Sequence, residues 1–67
     1  MNYYKVTFKW YDTDTWCCNL AIAKNVYKVR DHYIKYSGEY ENIFVEQASP
    51  SFVRASKKRG MPIVTID

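Results

Sequence analysis

Two adjacent cysteines, Cys17 and Cys18, and a single histidine, His32, are the residues of this chain best suited to nucleophilic or metal chemistry. A zinc site needs three or four ligands at characteristic spacings, and these residues supply neither a C-x2-C pair nor a second histidine. A thiol and His32 could in principle form a nucleophile–base pair, but both thiols lie in an apolar run typical of a packed strand. The sequence therefore predicts no catalytic residues, no metal and no cofactor, and a protein that is not an enzyme.

A second group of candidates is basic. Lys57, Lys58 and Arg59 follow one another, and Arg54 lies about one helical turn before them. Such a cluster can neutralise nucleic-acid phosphates, but it can equally complement the carbonyl end of a helix. These four residues are the predicted nucleic-acid-binding residues, and direct binding of nucleic acid through them is the alternative function.

Tyrosines and lysines form a third group. Tyr3, Lys5, Lys9 and Tyr11 share one side of a predicted strand, and Tyr40 is a further tyrosine outside the apolar pattern. Exposed tyrosine near a cation is typical of protein-binding hot spots. The same pattern could stack bases, or could belong to an ordinary solvated sheet face. These five residues are the predicted partner-binding residues, with a protein as the expected partner and nucleic acid as the alternative.

The first half of the chain is predicted to form a hairpin and a helix. Residues 3–10 alternate between apolar and polar side chains, and residues 12–14 after them have turn composition. Residues 15–23 are predicted to form the second strand of the hairpin, in which the apolar side chains of Trp16, Cys18, Leu20 and Ile22 share one face. Asn25 is a suitable N-cap for a helix whose apolar positions recur at 26, 29, 33 and 36. Ser37-Gly38 is predicted to end this helix, with glycine at the C-cap.

The second half repeats the alternation of strand and helix. A polar loop is predicted over residues 39–42 and a strand from Ile43 to about Ala48. Ser49-Pro50 marks the start of a helix that runs to Arg59, where Gly60 ends it. A last short strand covers Ile63–Ile66, and the missing N–H of Pro62 favours a sheet edge for it.

These elements predict an α+β fold in the order ββαβαβ. The most economical arrangement has two layers, with a mainly antiparallel sheet, two short helices on one face and the other face partly exposed. The chain has 67 residues and no linker, which predicts a single domain over residues 1–67. In this arrangement Val29 belongs to the core.

Composition limits the setting. The formal net charge of +3 permits an acidic partner without requiring one. No apolar stretch approaches the ~20 residues needed to span a bilayer, and the opening residues lack the features of a signal peptide. Because neighbouring residues of a strand point to opposite faces, the two cysteines cannot easily bridge each other. We therefore expect a cytoplasmic protein with reduced thiols and no membrane partner, either a monomer or a homodimer.

Two short segments carry a resemblance. The opening strand Tyr4–Phe8 and the closing segment Lys58–Val64 resemble those of small, uncharacterised proteins carried by phages and conjugative elements of gut-dwelling Gram-positive bacteria. The resemblance covers about a fifth of the chain and transfers no active residue. It implies a stoichiometric binder of another macromolecule, such as an inhibitor of host defence or nucleic-acid-processing proteins, the class that includes anti-CRISPR proteins. The expected function is a non-enzymatic interaction module.

Overall fold

Six elements follow one another in a computed structural model that describes residues 1–35 and 38–66. They are β1 (Asn2–Trp10), β2 (Trp16–Ala23), α1 (Val26–Ile34), β3 (Tyr40–Gln47), α2 (Pro50–Arg59) and β4 (Ile63–Thr65). The α+β class, the two short helices and the order ββαβαβ are confirmed.

The four strands form one mixed sheet in the order β3-β1-β2-β4. Strand β1 pairs antiparallel with both β2 and β3, whereas β4 runs parallel to β2. The prediction of a mainly antiparallel sheet is thus confirmed in part: both pairings of β1 are antiparallel, and the pairing of β4 makes the sheet mixed. Strand β4 lies at an edge, as Pro62 indicated, because a residue without an N–H cannot donate to a neighbouring strand.

Side-chain caps fix both helix starts as predicted. The side chain of Asn25 accepts a hydrogen bond from the Lys28 amide at 3.0 Å, and Ser49 accepts one from the Phe52 amide at 3.1 Å. Each bond satisfies a backbone donor that has no partner within its helix. Gly60 ends α2 with a φ of 72°, a conformation in which a side chain would be strained.

The end of α1 differs from its prediction. The helix ends at Ile34, and its C-cap is Lys35 with a φ of −58° rather than Gly38. Tyr36 and Ser37, which completed the predicted helix, lie outside the described residues. Tyr33 is the last of the predicted apolar positions of α1 that the structure describes, and it is buried. Ile34, the next residue, is exposed.

The start of β3 also differs. The polar segment predicted as a loop over residues 39–42 is mostly strand, because β3 begins at Tyr40. Its pairing with β1 shifts by one residue between Thr7 and Lys9. Asn42 lies in this shift with a φ of 54°, and such a β-bulge is compatible with a polar sequence that does not alternate.

The main core lies between the sheet and α1. Buried side chains of β1 (Tyr4, Val6 and Phe8) pack with Val29 and Tyr33 of α1. We call this side of the sheet the α1 face. Val29 is fully buried, as the helical periodicity predicted.

Helix α2 lies on the opposite side of the sheet, which we call the α2 face. Lys5 Nζ lies 5.2 Å from the centre of the Phe52 ring, and Lys57 Nζ donates a hydrogen bond of 3.0 Å to the hydroxyl of Tyr3. Leu20, which pairs with Lys5 and therefore shares its face, is fully buried. The predicted two-layer arrangement with both helices on one face is therefore wrong.

The strand order explains this correction. The connection β2-α1-β3 carries the chain across the sheet in one direction, and β3-α2-β4 carries it back in the other. Crossovers between parallel strands are almost always right-handed. When two right-handed crossovers run in opposite directions, their helices lie on opposite faces of the sheet. Helix α2 therefore lies on the face that the alternation of β1 predicted to be exposed to solvent.

Candidate functional site

Helix α2 leaves half of its sheet face uncovered. Its contacts with Tyr3 and Lys5 lie where β1 begins. Towards the other end of the strands, Trp16 is 52% exposed and Phe44 is 60% exposed. We call this uncovered half the aromatic face; its members are Thr7, Lys9, Trp16, Cys18 and Phe44.

Trp16 and Phe44 are brought together across β1. Trp16 pairs with Lys9 on one side of β1, and Phe44 pairs with Thr7 on the other. Their rings stack over the central strand with centroids 6.2 Å apart and planes inclined by 25°. Adjacent exposed aromatic rings on a rigid sheet are typical of an interaction surface rather than of a core.

Carboxylates outnumber cations around this aromatic pair. Lys9 Nζ lies 2.8 Å from Glu41 Oε1, and the hydrogen bond to Glu41 raises the pKa of Lys9 above its ordinary value. Lys5 Nζ lies 3.9 Å from Glu46 Oε1. Asp12 and Asp14 lie in the turn that follows β1 and also act on Lys9. The two lysines are thus paired, and the two aspartates leave the margin of the aromatic face acidic.

The five predicted partner-binding residues do not form one surface. Tyr3 and Lys5 lie against α2, and Lys9 borders the aromatic face. Tyr11 is exposed in the turn after β1. Tyr40 is half-buried on the α1 face. The alternation of β1 placed three of these residues on one face correctly, but α2 covers part of that face.

Tyr40 belongs to an aromatic cluster on the α1 face. Its ring centre lies 4.4 Å from that of Phe8, 4.9 Å from that of Trp10 and 6.0 Å from that of Tyr33. Trp10 closes the cluster against solvent and stays partly exposed. Tyr40 thus serves packing in addition to any role at the surface.

The predicted nucleic-acid-binding residues all lie exposed on α2: Arg54, Lys57, Lys58 and Arg59. Lys57 joins this group to Tyr3, since its Nζ lies 5.0 Å from the centre of the tyrosine ring. Tyr3 and Lys9 are six residues apart on one strand, which corresponds to roughly 20 Å. The basic residues and the aromatic face therefore lie towards opposite ends of the sheet.

Trp16 and Phe44 are the residues that the sequence analysis missed. In the sequence, Trp16 shares an apolar face with Cys18, Leu20 and Ile22, which indicates a core position, and Phe44 is only part of a predicted strand. A useful indication was available, because β2 also carries apolar residues at its other alternate positions, including Ala21. Apolar side chains on both sides of a strand indicate that both faces of the sheet are covered.

Cys17, Cys18 and His32 have different surroundings in this fold. Cys17 packs against the core on the α1 face, Cys18 points to the opposite face, and both thiols are free. The ring of His32 lies edge-on to Tyr33 at 5.4 Å. Within residues 1–35 and 38–66, no three His, Cys, Asp or Glu side chains gather as a metal site. The helices of this part of the chain are too short and too polar to cross a membrane.

One buried polar contact joins α1 to the sheet. Asn19 Nδ2 donates a hydrogen bond of 3.0 Å to the hydroxyl of Tyr33. Burial raises the pKa of the Tyr33 hydroxyl, an effect that the hydrogen bond from Asn19 partly opposes. The raised pKa keeps the Tyr33 hydroxyl protonated to a higher pH than that of an exposed tyrosine.

Comparison with protein families, with curated proteins and with solved structures finds no match for this chain. The arrangement described above is therefore the basis for any functional conclusion. It presents a stacked aromatic pair with an acidic margin at one end of the sheet and a basic helix end at the other.

Proposed function

We propose that this protein is a binding module without catalytic activity, and that it docks onto another protein through the aromatic face. The observation that carries the proposal is the stacked pair of Trp16 and Phe44, each more than half exposed on the half of the sheet that α2 leaves uncovered. Aromatic residues are the side chains that contribute most often to binding hot spots. The rigid sheet holds both rings in place before binding, which lowers the entropy that association costs.

The margin of the aromatic face supports a particular kind of partner. Lys9 is neutralised by Glu41 and Lys5 by Glu46, and the nearby Asp12 leaves negative charge in excess. A partner surface with an apolar centre and lysine or arginine at its rim matches this pattern. We therefore propose a protein partner of this chemistry.

Nucleic-acid binding through Arg54, Lys57, Lys58 and Arg59 is the second candidate. The exposed cations at the end of α2, next to the tyrosine ring of Tyr3, favour it. Against it, base stacking and phosphate contacts normally act together along one strand of nucleic acid. Here the exposed aromatic pair has an acidic margin, and it lies towards the opposite end of the sheet from the cations of α2.

The cellular setting is part of the proposal. We infer a reducing compartment such as the cytoplasm, because Cys17 and Cys18 point to opposite faces of β2 as free thiols. The narrower function, inhibition of a host defence or nucleic-acid-processing protein by a mobile-element protein, is supported by the resemblance of Tyr4–Phe8 and Lys58–Val64 alone.

The test is affinity capture from a lysate of the cells that produce the protein, with three immobilised baits. One bait is the wild-type chain, one carries Trp16→Ala and Phe44→Ala, and one carries Lys57→Ala and Lys58→Ala. All four side chains are exposed, so we expect each bait to fold. A captured protein should then be titrated as a purified component against all three baits.

We expect one protein to bind the wild type and the Lys57→Ala, Lys58→Ala variant with similar affinity. Its affinity for the Trp16→Ala, Phe44→Ala variant should be at least tenfold lower. Equal affinity for the wild-type and aromatic baits would refute the proposal. Fluorescence anisotropy with single- and double-stranded oligonucleotides at low salt separates the alternative. Binding that weakens steeply with salt, and that the lysine variant loses, would favour nucleic acid.

A further inference from the structure

The outer edge of β3 is a free pairing surface. Strand β3 ends the sheet order β3-β1-β2-β4, so among the described residues no other strand lies on its outer side. A groove of about 490 Å³ runs along this edge, lined by Arg30 of α1 and by residues 43–46. The other edge strand, β4, spans only three residues and follows Pro62. Short length and proline are features that protect edges from pairing, and β3 has neither over residues 43–47.

The pairing of β1 with β3 shows which backbone groups face outward. The Ala48 amide donates to the Tyr3 carbonyl at 3.0 Å. Lys5 pairs with Glu46, two residues forward in β1 and two residues back in β3, and Thr7 pairs with Phe44 after the same step again. In an antiparallel ladder alternate residues bond to the same neighbour. The amides and carbonyls of Val45 and its alternate neighbours 43 and 47 therefore point to the free edge.

We propose that two copies of this chain pair through their β3 edges in antiparallel orientation about a two-fold axis, with Phe44 opposite its symmetry mate. Such a pairing brings the outward groups of Ile43 against those of Val45 in the second copy. It extends each sheet into a continuous eight-stranded one. A two-fold axis is the commonest symmetry of protein dimers and requires a self-complementary surface.

Charge and apolar contacts select this register among those the outward groups allow. Centring the axis on Glu46 sets two glutamates directly opposite each other, which is destabilising. Centring it on Val45 sets the Phe44 ring against Glu46. Centring it on Phe44 sets ring against ring and places Glu46 opposite Asn42, where the bulge ends the ladder.

The dimer has a consequence for the exposed aromatic pair. Phe44 already stacks on Trp16 at 6.2 Å, so pairing at Phe44 joins the two aromatic faces into one row of four rings. The dimer is nonetheless independent of the proposed function, because a single copy still presents both rings. The paired segments are short and bury less than the ~1,200 Å² of a standard interface, so we expect the dimer to form in concentrated solution and to dissociate on dilution.

Sedimentation velocity over a wide range of protein concentration tests the dimer. The expected result is a shift from monomer to dimer as concentration rises. Val45→Pro should abolish this shift because proline removes the outward amide, whereas Val45→Ala shortens the same side chain and keeps the amide. A monomer at every concentration would overturn the proposal, and so would a Val45→Pro variant that dimerises as Val45→Ala does.

Cross-linking tests the register without a proline in the sheet. Directly opposed residues of a non-hydrogen-bonded antiparallel pair have Cα atoms about 4.5 Å apart, within the range that a disulfide spans. We expect mild oxidation of Phe44→Cys to give a covalent dimer linked through position 44, as shown by peptide mapping. Glu46→Cys and the wild type, with its own two thiols, should give none. Cross-linking of Glu46→Cys in place of Phe44→Cys would refute the Phe44-centred register.

Discussion

Leu20→Ala tests the central correction to the fold, the placement of α2 on the second face of the sheet. Leu20 is fully buried on that face. Its neighbour across the parallel pairing with β4 is Ile63, which is 40% exposed. Each residue loses three carbon atoms on substitution by alanine, so Ile63→Ala is a matched control on the same face.

The expected cost follows from burial. Three buried carbons correspond to about 2.4 kcal/mol of transfer free energy, and the cavity left behind brings leucine-to-alanine changes into the range of about 2–5 kcal/mol. A chain of this length is stable by roughly 3–10 kcal/mol. We therefore expect Leu20→Ala to cost about 3–4 kcal/mol and Ile63→Ala about 1 kcal/mol.

Urea unfolding followed by circular dichroism and tryptophan fluorescence gives both free energies. Hydrogen exchange adds a local measurement, because amides of α2 should exchange faster in Leu20→Ala while those around Val29 in α1 change less. If Leu20→Ala costs no more than Ile63→Ala, Leu20 is not covered by α2. The assignment of the helices to opposite faces would then be wrong.

Three further changes test the core. Val29→Ala should lower the free energy of unfolding by about 1–3 kcal/mol in urea, and Ile34→Ala on the exposed side of α1 by less than about 0.5 kcal/mol; equal costs would mean that α1 is rotated. Tyr33→Phe should cost about 1 kcal/mol at neutral pH, because the Asn19 amide loses its acceptor. Burial raises the pKa of Tyr33 in the folded state, so stability falls as pH rises above about 10, and this alkaline decline should be shallower in the phenylalanine variant. Ser56→Ala should leave stability unchanged or raise it slightly, because the buried hydroxyl has no hydrogen-bond partner within residues 1–35 and 38–66; a loss above about 1 kcal/mol in thermal unfolding would reveal a partner for this hydroxyl.

Local structure was largely predictable because its causes are local. Asn25 and Ser49 satisfy helix amides within three residues of themselves, and Gly60 takes up a left-handed conformation that glycine favours. The alternation along β1 places Val6 on the apolar side of the strand, and Val6 is fully buried. The bulge at Asn42 was not predicted because it arises from the pairing of β3 with β1. Nothing in the sequence of residues 40–42 indicates this pairing.

The candidate site was predicted only in part for a related reason. Lys9 was correctly placed on one face of β1, but its exposure depended on what covers that face. Tyr3, a predicted partner-binding residue, contacts Lys57, which is 54 residues away in sequence. Trp16 and Phe44 became neighbours only because β2 and β3 pair with opposite sides of β1.

The sequence by itself determined the number and kind of elements, their caps and the alternation of side chains on each strand, because these depend on residues within a few positions of one another. Only the tertiary structure decided the order of the strands, and with it the side of the sheet on which α2 lies. The right-handed crossover from β3 to β4 determines the face on which α2 lies, because this connection runs back across the sheet. No residue of α2 indicates that face locally. The extent to which α2 then covers its face, from Leu20 but not as far as Trp16, is what leaves an aromatic pair exposed.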